Sequence, residues 1–388
     1  MQKERYENVL REYPLSLPSV PFEKDIWQAL EENEAPLLVY GMGNGADKLF
    51  DRLERIGRAP SAVFASDGFV RAQVFRGHEV VSYAEAAARF PGHTVLLSFG
   101  SNKSDVVSFL YDFAERKPLL IPDMPLAGEE YFTAAFYEAH AEKLRAVYAL
   151  LADDASRDLL AALIWYKLTG EPCFLKRAVC YEDTRSLLGW DAISSALDVG
   201  AYRGDTLEEL AANAPRLCDV IAIEPDRKNF KKLTVIAERY PELTVRCVEA
   251  AAWNMDGEEL FETSGNRNAT LNTGREKGHT PSYQHNTEIV KTVRIDTLLS
   301  GRRIDCIKID TEGAEMKALM GAEETLKKYT PALRVSAYHR SEDLFALPLY
   351  LSALMPDRYD YYLRRTHVIP AWECDLLAVP KKKESHDA

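Results

Sequence analysis

The sequence predicts an α/β protein with two mostly parallel sheets, a smaller one followed by a larger one. Short apolar runs alternate with amphipathic helical stretches, which is the pattern of a parallel sheet covered by helices on both faces. Two of these runs end in glycine-containing turns that open a helix, at Gly41–Ala46 and at Gly200–Gly204. With 388 residues, the chain is also longer than one hydrophobic core usually serves.

The alternation divides the chain into five predicted segments. In the larger sheet, the last two predicted strands (358–364 and 374–379) have no helix-length crossover between them, so we expect them to pair antiparallel. A polar segment, 263–290, interrupts the alternation and has the character of a lid or of an unstructured excursion. The segments are a helical lead-in (1–35), a smaller unit (36–125), a helical connector (126–190), a larger unit (191–380) and a charged tail expected to be disordered (381–388).

Composition excludes several classes of function. A net charge of −12 argues against broad nucleic-acid binding, which needs a basic surface. The six cysteines are scattered without a C-x-x-C pair, which indicates a reducing, cytoplasmic compartment and no zinc site. No apolar run is long enough to span a membrane, and the charged N-terminus is unlike a signal peptide. The sequence leaves the oligomeric state open.

The first glycine turn has the spacing of a dinucleotide-binding fingerprint. Gly41, Gly43 and Ala46 fit G-x-G-x-x-G/A after a strand, and Asp67 follows at about the distance of a ribose-binding acid. The smaller unit is therefore predicted to be Rossmann-like, with a candidate second nucleotide site at Gly41, Gly43, Gly45 and Asp67. A packing turn without a ligand is the alternative.

The second glycine turn has a different spacing. Asp198 ends a strand, and Gly200 and Gly204 follow it in a Gly-x-x-x-Gly pattern that feeds a helix. Glycine permits positive φ and leaves room for a bound molecule. The N–H groups at the start of the helix suit a carboxylate or a phosphate.

Acidic residues follow four strands of the larger sheet, where ligands of parallel sheets bind. Each could cap the next helix, but capping alone does not explain why all lie at one edge. Glu224 is placed to accept hydrogen bonds from ribose hydroxyls, while Asp198 and its turn suit an amino-acid group. Together they fit S-adenosylmethionine. The acids are Asp198, Asp205, Glu224, Glu249, Asp310 and Glu312.

The motifs DVGAYRGDT, AIEPD, EAAAW and IKIDTEGAEMKAL, in this order, resemble the FkbM family of S-adenosylmethionine-dependent methyltransferases. The resemblance covers about residues 195–380 and implies a Rossmann-like methyltransferase sheet with an antiparallel last strand. The run of three alanines, Ala250–Ala252, and the 263–290 insert depart from the family pattern. By position, the implied cofactor-binding residues are Asp198, Gly200, Tyr202, Gly204, Asp205, Thr206, Glu224, Pro225, Asp226, Ala251, Trp253 and Asp310.

Asp310 and His339 are the candidate catalytic residues, since each follows a strand at this edge and a hydroxyl acceptor must lose a proton. Asp310, Glu312 and Glu315 could hold Mg²⁺. However, Glu312 and Glu315 are expected to share a solvated helix face, and no metal is predicted. His279 and His285 fall in the polar insert.

The family usually methylates oxygen. The upstream segment YGMGNGADKL resembles a Rossmann-like domain that precedes such enzymes in bacterial sugar and polysaccharide pathways. The resemblance therefore implies O-methylation of a small-molecule acceptor, a sugar or a nucleotide-linked sugar. Two alternatives stay open. One is a nicotinamide-dependent oxidoreductase that uses the first glycine turn, and the other is a non-enzymatic nucleotide-sugar-binding or scaffold protein.

Overall fold

A computed structural model of the chain describes residues 16–70, 73–180, 184–263, 270–271 and 286–382. Residues 1–15 of the predicted helical lead-in lie outside this range. The first unit alternates strands and helices as predicted. Its elements are α1 (Ile26–Glu32), β1 (Leu37–Tyr40), α2 (Asn44–Arg55), β2 (Ala62–Ala65), a 3₁₀ turn (Asp67–Phe69), β3 (Val74–Phe75), β4 (His78–Ser82), α3 (Tyr83–Arg89), β5 (Thr94–Leu97), α4 (Ser104–Arg116) and β6 (Leu119–Leu120).

The six strands of the first unit form one sheet in the order β3-β4-β2-β1-β5-β6. All neighbours pair in parallel except β3 and β4, which pair antiparallel. The sequence predicts the four strands β1, β2, β5 and β6. It gives no signal for β4, because only Val80 and Val81 of this strand are buried, and a two-residue apolar run is too short to indicate a strand.

Four helices follow the first unit: α5 (Ala134–Leu150), α6 (Asp154–Thr169), α7 (Pro172–Arg177) and α8 (Thr184–Leu187). The Asp153 side chain caps α6 by accepting a hydrogen bond from Ser156 N at 2.8 Å. Gly170 ends the helix at φ 68°, which a residue without Cβ adopts freely. Trp165 and Tyr166 are buried, so these aromatic residues of the predicted connector pack in the core.

The second unit begins with β7 and continues to the C-terminal hairpin. Its elements are β7 (Ser195–Val199), α9 (Asp205–Asn213), β8 (Asp219–Ile223), α10 (Arg227–Ala237), β9 (Thr244–Val248), β10 (Ala251–Ala252), β11 (Gly257–Thr263), β12 (Thr270–Leu271), β13 (Asn286–Val293), α11 (Ile295–Leu299), β14 (Cys306–Ile309), α12 (Glu315–Met320), α13 (Glu323–Tyr329), β15 (Ala332–Ser336), α14 (Asp343–Leu354), β16 (Tyr359–Arg365) and β17 (Cys374–Pro380).

The main sheet of the second unit has the order β16-β17-β15-β14-β7-β8-β9. The five strands β9, β8, β7, β14 and β15 pair in parallel, and β17 pairs antiparallel with both β15 and β16. The predicted antiparallel terminal pair is therefore confirmed. The chain runs outward from β7 through β8 and β9, then returns to β14 on the other side of β7. The carboxyl ends of β7 and β14 mark the switch point at which ligands of such sheets bind.

The polar stretch 263–290 is bordered by strands that the sequence analysis missed. Strands β11 and β13 pair antiparallel over seven residues, from Gly257↔Thr292 to Thr263↔Asn286, and β10 and β12 complete a small four-stranded sheet. The expectation of an unstructured excursion is therefore wrong at both ends of the segment, and the lid stays a prediction. His279 and His285 lie outside the described residues.

The two units meet at the carboxyl edge of the second sheet. Ser101 of the first unit exchanges backbone hydrogen bonds with Ile369 at 2.7 and 3.1 Å, and Leu126 and Ala127 donate to His339 O at 3.1 and 2.9 Å. Buried side chains of both units also form one continuous hydrophobic cluster. The first unit is thus positioned to contribute residues to a site at this edge. Among the described helices, none has the length and apolar character needed to cross a bilayer.

Candidate functional site

A cavity of about 360 Å³ opens at the carboxyl ends of β7, β8 and β14. This volume lies in the range of small-molecule sites. Both units line it, together with the segment between β16 and β17. The lining residues are Asn102, Gly200, Tyr202, Asp205, Ile223, Glu224, Pro225, Asn229, Ala250, Ala251, Ala252, Lys308, Asp310, Thr311, Glu312, Ala314, Tyr338, Thr366, Val368 and Glu373.

The turn after β7 has the backbone that its glycines predict. Gly200 and Gly204 have φ of 77° and 95°, and Tyr202 between them has φ 48°. The space beside these glycines is taken by the chain itself, contrary to the expectation of room for a ligand. A Cβ at Gly200 would lie 1.7 Å from Asp310 O, and one at Gly204 would lie 3.0 Å from Ile236 Cγ2. The glycines therefore allow β14 and α10 to pack closely against the turn.

Glu224 is fixed at the end of β8 by two backbone donors. Its Oε2 accepts from Tyr202 N and its Oε1 from Asp226 N, both at 2.8 Å. The residue is only 6% exposed, yet it lines the cavity. Burial outweighs the two hydrogen bonds and raises the pKa of this carboxyl to about 7. Glu224 therefore presents an oriented, partly desolvated carboxyl group to the cavity.

Asp198 lies beneath the cavity floor and pairs with a lysine. The Asp198 side chain is fully buried, and Lys308 Nζ lies 3.4 Å from its Oδ1 and 3.7 Å from Asp310 Oδ2. Lys308 also donates to Gly200 O at 3.0 Å. Burial raises the pKa of Asp198, while the charge of Lys308 opposes that shift. Lys308 thus joins the first turn to the end of β14.

His339 is fully buried among three carboxylates. Its Nδ1 lies 2.9 Å from Glu315 Oε1, and its Nε2 lies 3.3 Å from Glu312 Oε2 and 3.6 Å from Asp310 Oδ1. Burial alone would lower the pKa of this imidazole, but the charges of Glu315 and Glu312 raise it well above its ordinary value. The structure therefore brings together the two candidate catalytic residues, Asp310 and His339.

Glu312 and Glu315 do not share a solvated helix face, as the sequence analysis expected. Helix α12 begins only at Glu315, and Glu312 precedes it with φ 54°. Glu315 is 1% exposed and accepts from Thr311 N at 2.8 Å in addition to His339. Both carboxylates lie beside the buried imidazole instead, because the chain bends between them at Glu312 and Gly313, which both have positive φ.

The remaining predicted residues divide into two groups. Tyr202, Asp205, Pro225, Ala251 and Asp310 line the cavity. The others are not part of its lining. Asp226 caps α10 by accepting from Lys228 N and Asn229 N at 2.9 Å. Thr206 and Trp253 are buried outside the lining, and Glu249 is exposed.

The first glycine turn packs against β5 and the residues that follow it. A Cβ at Gly41 would lie 2.7 Å from Ser98 Oγ, and one at Gly45 would lie 2.1 Å from Ser98 O. Gly43, which precedes α2, has open space around it. Asp67 opens the 3₁₀ turn, and its side chain lies outside the described residues. Two of the three glycines are therefore required by packing, which favours the packing alternative. A nucleotide site at this turn stays a prediction.

Several residues of the site escaped the sequence analysis. Lys308 reads as a polar interruption of a buried strand, with nothing to show that it faces Asp198. Asn102 belongs to the first unit and reaches the cavity only through the packing of the two units. Thr366, Val368 and Glu373 lie in the loop between β16 and β17. Trp372 of the same loop packs directly on Gly100, where a Cβ would lie 2.2 Å from the ring.

Part of the chain is similar to a known protein family. Residues 198–362 match the model of the methyltransferase FkbM domain. The matched residues all lie within the second unit. The structure also resembles that of methyltransferase FkbM from Methylobacillus flagellatus KT, with a TM-score of 0.66 and 22% identity over 97% of this chain and 98% of that one. The two proteins share their fold over both units.

Two further solved structures are more remote. One is an rRNA methylase from Streptococcus thermophilus, with 11% identity and a TM-score of 0.34 over 51% of this chain and 95% of that one. The other is Aeropyrum pernix fibrillarin with bound S-adenosyl-L-methionine, with 10% identity and a TM-score of 0.29 over 48% and 66%. A sequence search of curated proteins finds no match.

Proposed function

We propose that the protein is an S-adenosylmethionine-dependent methyltransferase, and that it methylates a hydroxyl group of a sugar or a nucleotide-linked sugar. The cofactor would occupy the cavity at the ends of β7, β8 and β14, and would supply the methyl group. Methyl transfer from a sulfonium needs mainly the positioning of donor and acceptor, which can contribute about 7–11 kcal/mol to lowering the barrier. The chain's own residues would supply this positioning.

The main support for the proposal is the carboxyl group of Glu224, which the backbone N–H groups of Tyr202 and Asp226 hold in place. A ribose presents two neighbouring hydroxyl donors, and an oriented carboxylate accepts both. The small side chains of Ala250, Ala251 and Ala252 line the same cavity and leave space for a flat base beside that ribose. Beneath the cavity, Asp198 is fully buried beside Lys308, which also donates to Gly200 O and so holds the turn after β7 against the end of β14.

Asp310 would meet the acceptor. Its side chain is 29% exposed and lines the cavity, so its carboxylate can accept a hydrogen bond from a hydroxyl and orient the oxygen toward the methyl donor. His339 is fully buried behind it and would act through Asp310 and Glu312 as a positioning residue. Asn102 from the first unit, with Thr366 and Glu373, forms polar parts of the wall that suit a hydroxyl-rich acceptor.

Calorimetry with S-adenosylhomocysteine tests the cofactor assignment. We expect one molecule to bind per chain and Glu224→Gln to weaken binding at least tenfold, or roughly 1.4 kcal/mol. Glu249→Gln is the matched control, because Glu249 follows the next strand but is exposed, and it should leave the affinity unchanged. If the folded protein bound NAD or a nucleotide sugar but no S-adenosylhomocysteine, one of the two alternative functions would replace this one.

A further inference from the structure

The ionisable cluster around His339 has the arrangement of a metal centre. We propose that it binds one divalent cation, held by His339 Nε2 together with the carboxylates of Asp310 and Glu312. The cluster lies at the wall of the cavity, where Asp310 and Glu312 are exposed to it. Asp310 and His339 belong, with Glu315, to a group whose ligand atoms all lie within 4.8 Å of one another. Glu312 joins this cluster through His339 Nε2, which is 3.3 Å from its Oε2.

The imidazole ring is fixed so that one nitrogen is left for a ligand. Nδ1 is 2.9 Å from Glu315 Oε1, and the same oxygen accepts from Thr311 N at 2.8 Å and Gly313 N at 3.3 Å. Metal-binding histidines are commonly held in this way, with a carboxylate on the nitrogen that does not touch the ion. Glu315 therefore orients the ring and leaves Nε2 directed at Asp310 and Glu312.

The other ring nitrogen, Nε2, supports the same assignment. His339 has no exposed surface, and its Nε2 makes no hydrogen bond. The nearest carboxylate oxygens, of Glu312 and Asp310, lie at 3.3 and 3.6 Å. Two ligand atoms that are each about 2.1 Å from one ion, at an ordinary coordination angle, lie roughly 3.2–3.6 Å apart. The two distances from Nε2 are in the range for ligand atoms that share an ion.

The charge balance favours a cation. Three carboxylates, Asp310, Glu312 and Glu315, surround one imidazole, and all are at least partly buried. Lys308 lies 3.7 Å from Asp310 but is shared with Asp198. The charged form of the imidazole offsets one of these negative charges, and a divalent ion that replaced its Nε2 proton would offset more of the charge that is held away from water.

The donor set indicates the kind of ion. Mg²⁺ and Ca²⁺ take oxygen ligands almost exclusively, whereas an imidazole beside two carboxylates suits Mn²⁺ and the later first-row divalent ions. An ion here would bind the oxygen of a hydroxyl acceptor and lower the pKa of that hydroxyl. This consequence rests on the proposed function, whereas the cation site itself does not.

Titration with MnCl₂, followed by the electron paramagnetic resonance signal of free Mn²⁺, tests the site. We expect one Mn²⁺ per chain in the full-length protein, and at least tenfold weaker binding in His339→Asn and in Glu312→Gln. Glu312 is 27% exposed, so its variant should fold even if the buried His339 variant does not. Thermal unfolding verifies this for each sample.

Glu373→Gln is the control, because it removes one carboxylate from the same cavity outside the cluster. It should change the affinity less than threefold. The proposal is overturned if folded protein binds no Mn²⁺ at millimolar concentration, or if Glu373→Gln weakens binding as much as Glu312→Gln. S-adenosylhomocysteine binding is measured on the same samples to separate the two proposals. Protein that binds S-adenosylhomocysteine but does not bind Mn²⁺ would overturn the cation site and leave the proposed function standing.

Discussion

Lys308 and Asp198 lie directly opposite each other on β14 and β7, and Lys308 Nζ is 3.4 Å from Asp198 Oδ1. The two strands flank the switch point of the sheet, so this ion pair ties together the two halves of the candidate site. Asp198 has no exposed surface, and Lys308 is the cation beside it. The pair is therefore a structural support on which the position of Asp310, and through it the acceptor side of the cavity, depends.

Replacing Lys308 by methionine should leave Asp198 buried without its countercharge. We expect a loss of about 3–5 kcal/mol in the free energy of unfolding, measured with urea, because a buried carboxylate without its partner is costly. Lys327→Met removes a lysine from an exposed pair with Glu323 and should cost less than about 1 kcal/mol. Equal losses in the two variants would show that the buried pair contributes no more to stability than the exposed pair.

The affinity for S-adenosylhomocysteine should rise with pH. Glu224 has a pKa of about 7 in the free protein, so it is mostly neutral below that pH and mostly ionised above it. The ionised form is the one that accepts hydrogen bonds from both ribose hydroxyls. We expect Kd to fall about tenfold between roughly pH 6 and pH 8, measured by calorimetry. Glu224→Gln should abolish this slope, and a slope that persists in the variant would assign the titration to another group.

Gly200→Ala should lower the free energy of unfolding by much more than backbone strain at this position alone explains. Gly200 has φ 77°, and its Cβ would meet Asp310 O at 1.7 Å. Gly189 has nearly the same φ, 66°, but has open space beside it. The Gly189→Ala control should cost about 1–2 kcal/mol from backbone strain, and Gly200→Ala should cost clearly more and also weaken cofactor binding. Similar unfolding free energies for the two variants would contradict the close packing of the turn on β14.

The two glycines of the first turn should respond differently to alanine. Gly45→Ala would place Cβ 2.1 Å from Ser98 O, whereas Gly43→Ala meets nothing within 4 Å. We expect thermal unfolding to show a clear loss for Gly45→Ala and a change within about 0.5 kcal/mol for Gly43→Ala. Neither variant should affect S-adenosylhomocysteine binding once folded. A loss of nucleotide binding in the stable Gly43→Ala variant would instead reveal a ligand at this turn.

The sequence predicts those parts of the fold that leave a local signal. Strand β7 and the turn to Gly204 are visible because a buried run, an acid and two glycines follow one another. Glu224 and Asp310 are visible because the carboxyl ends of parallel strands share an edge. Strand β4 and the pair β11 and β13 are missed, since their apolar runs are short or interrupted by charged residues.

The parts of the site that depend on tertiary packing are not predictable in this way. Lys308 acquires its role from the register between β14 and β7, which fixes its partner but leaves no trace in the local pattern. Glu312 and Glu315 read as one helix face, because the positive φ of Glu312, a conformation rare for glutamate, is set by the turn around His339. Asn102 reaches the cavity through contacts between units that are distant in sequence.

A crystal structure of the protein with S-adenosylhomocysteine tests the central claim most directly. We expect the nucleoside in the cavity at the ends of β7, β8 and β14, with both ribose hydroxyls within hydrogen-bond distance of the Glu224 carboxylate. A nucleoside bound instead at the Gly41–Gly45 turn, or a ribose that points away from Glu224, would contradict the assignment of this cavity as the cofactor site.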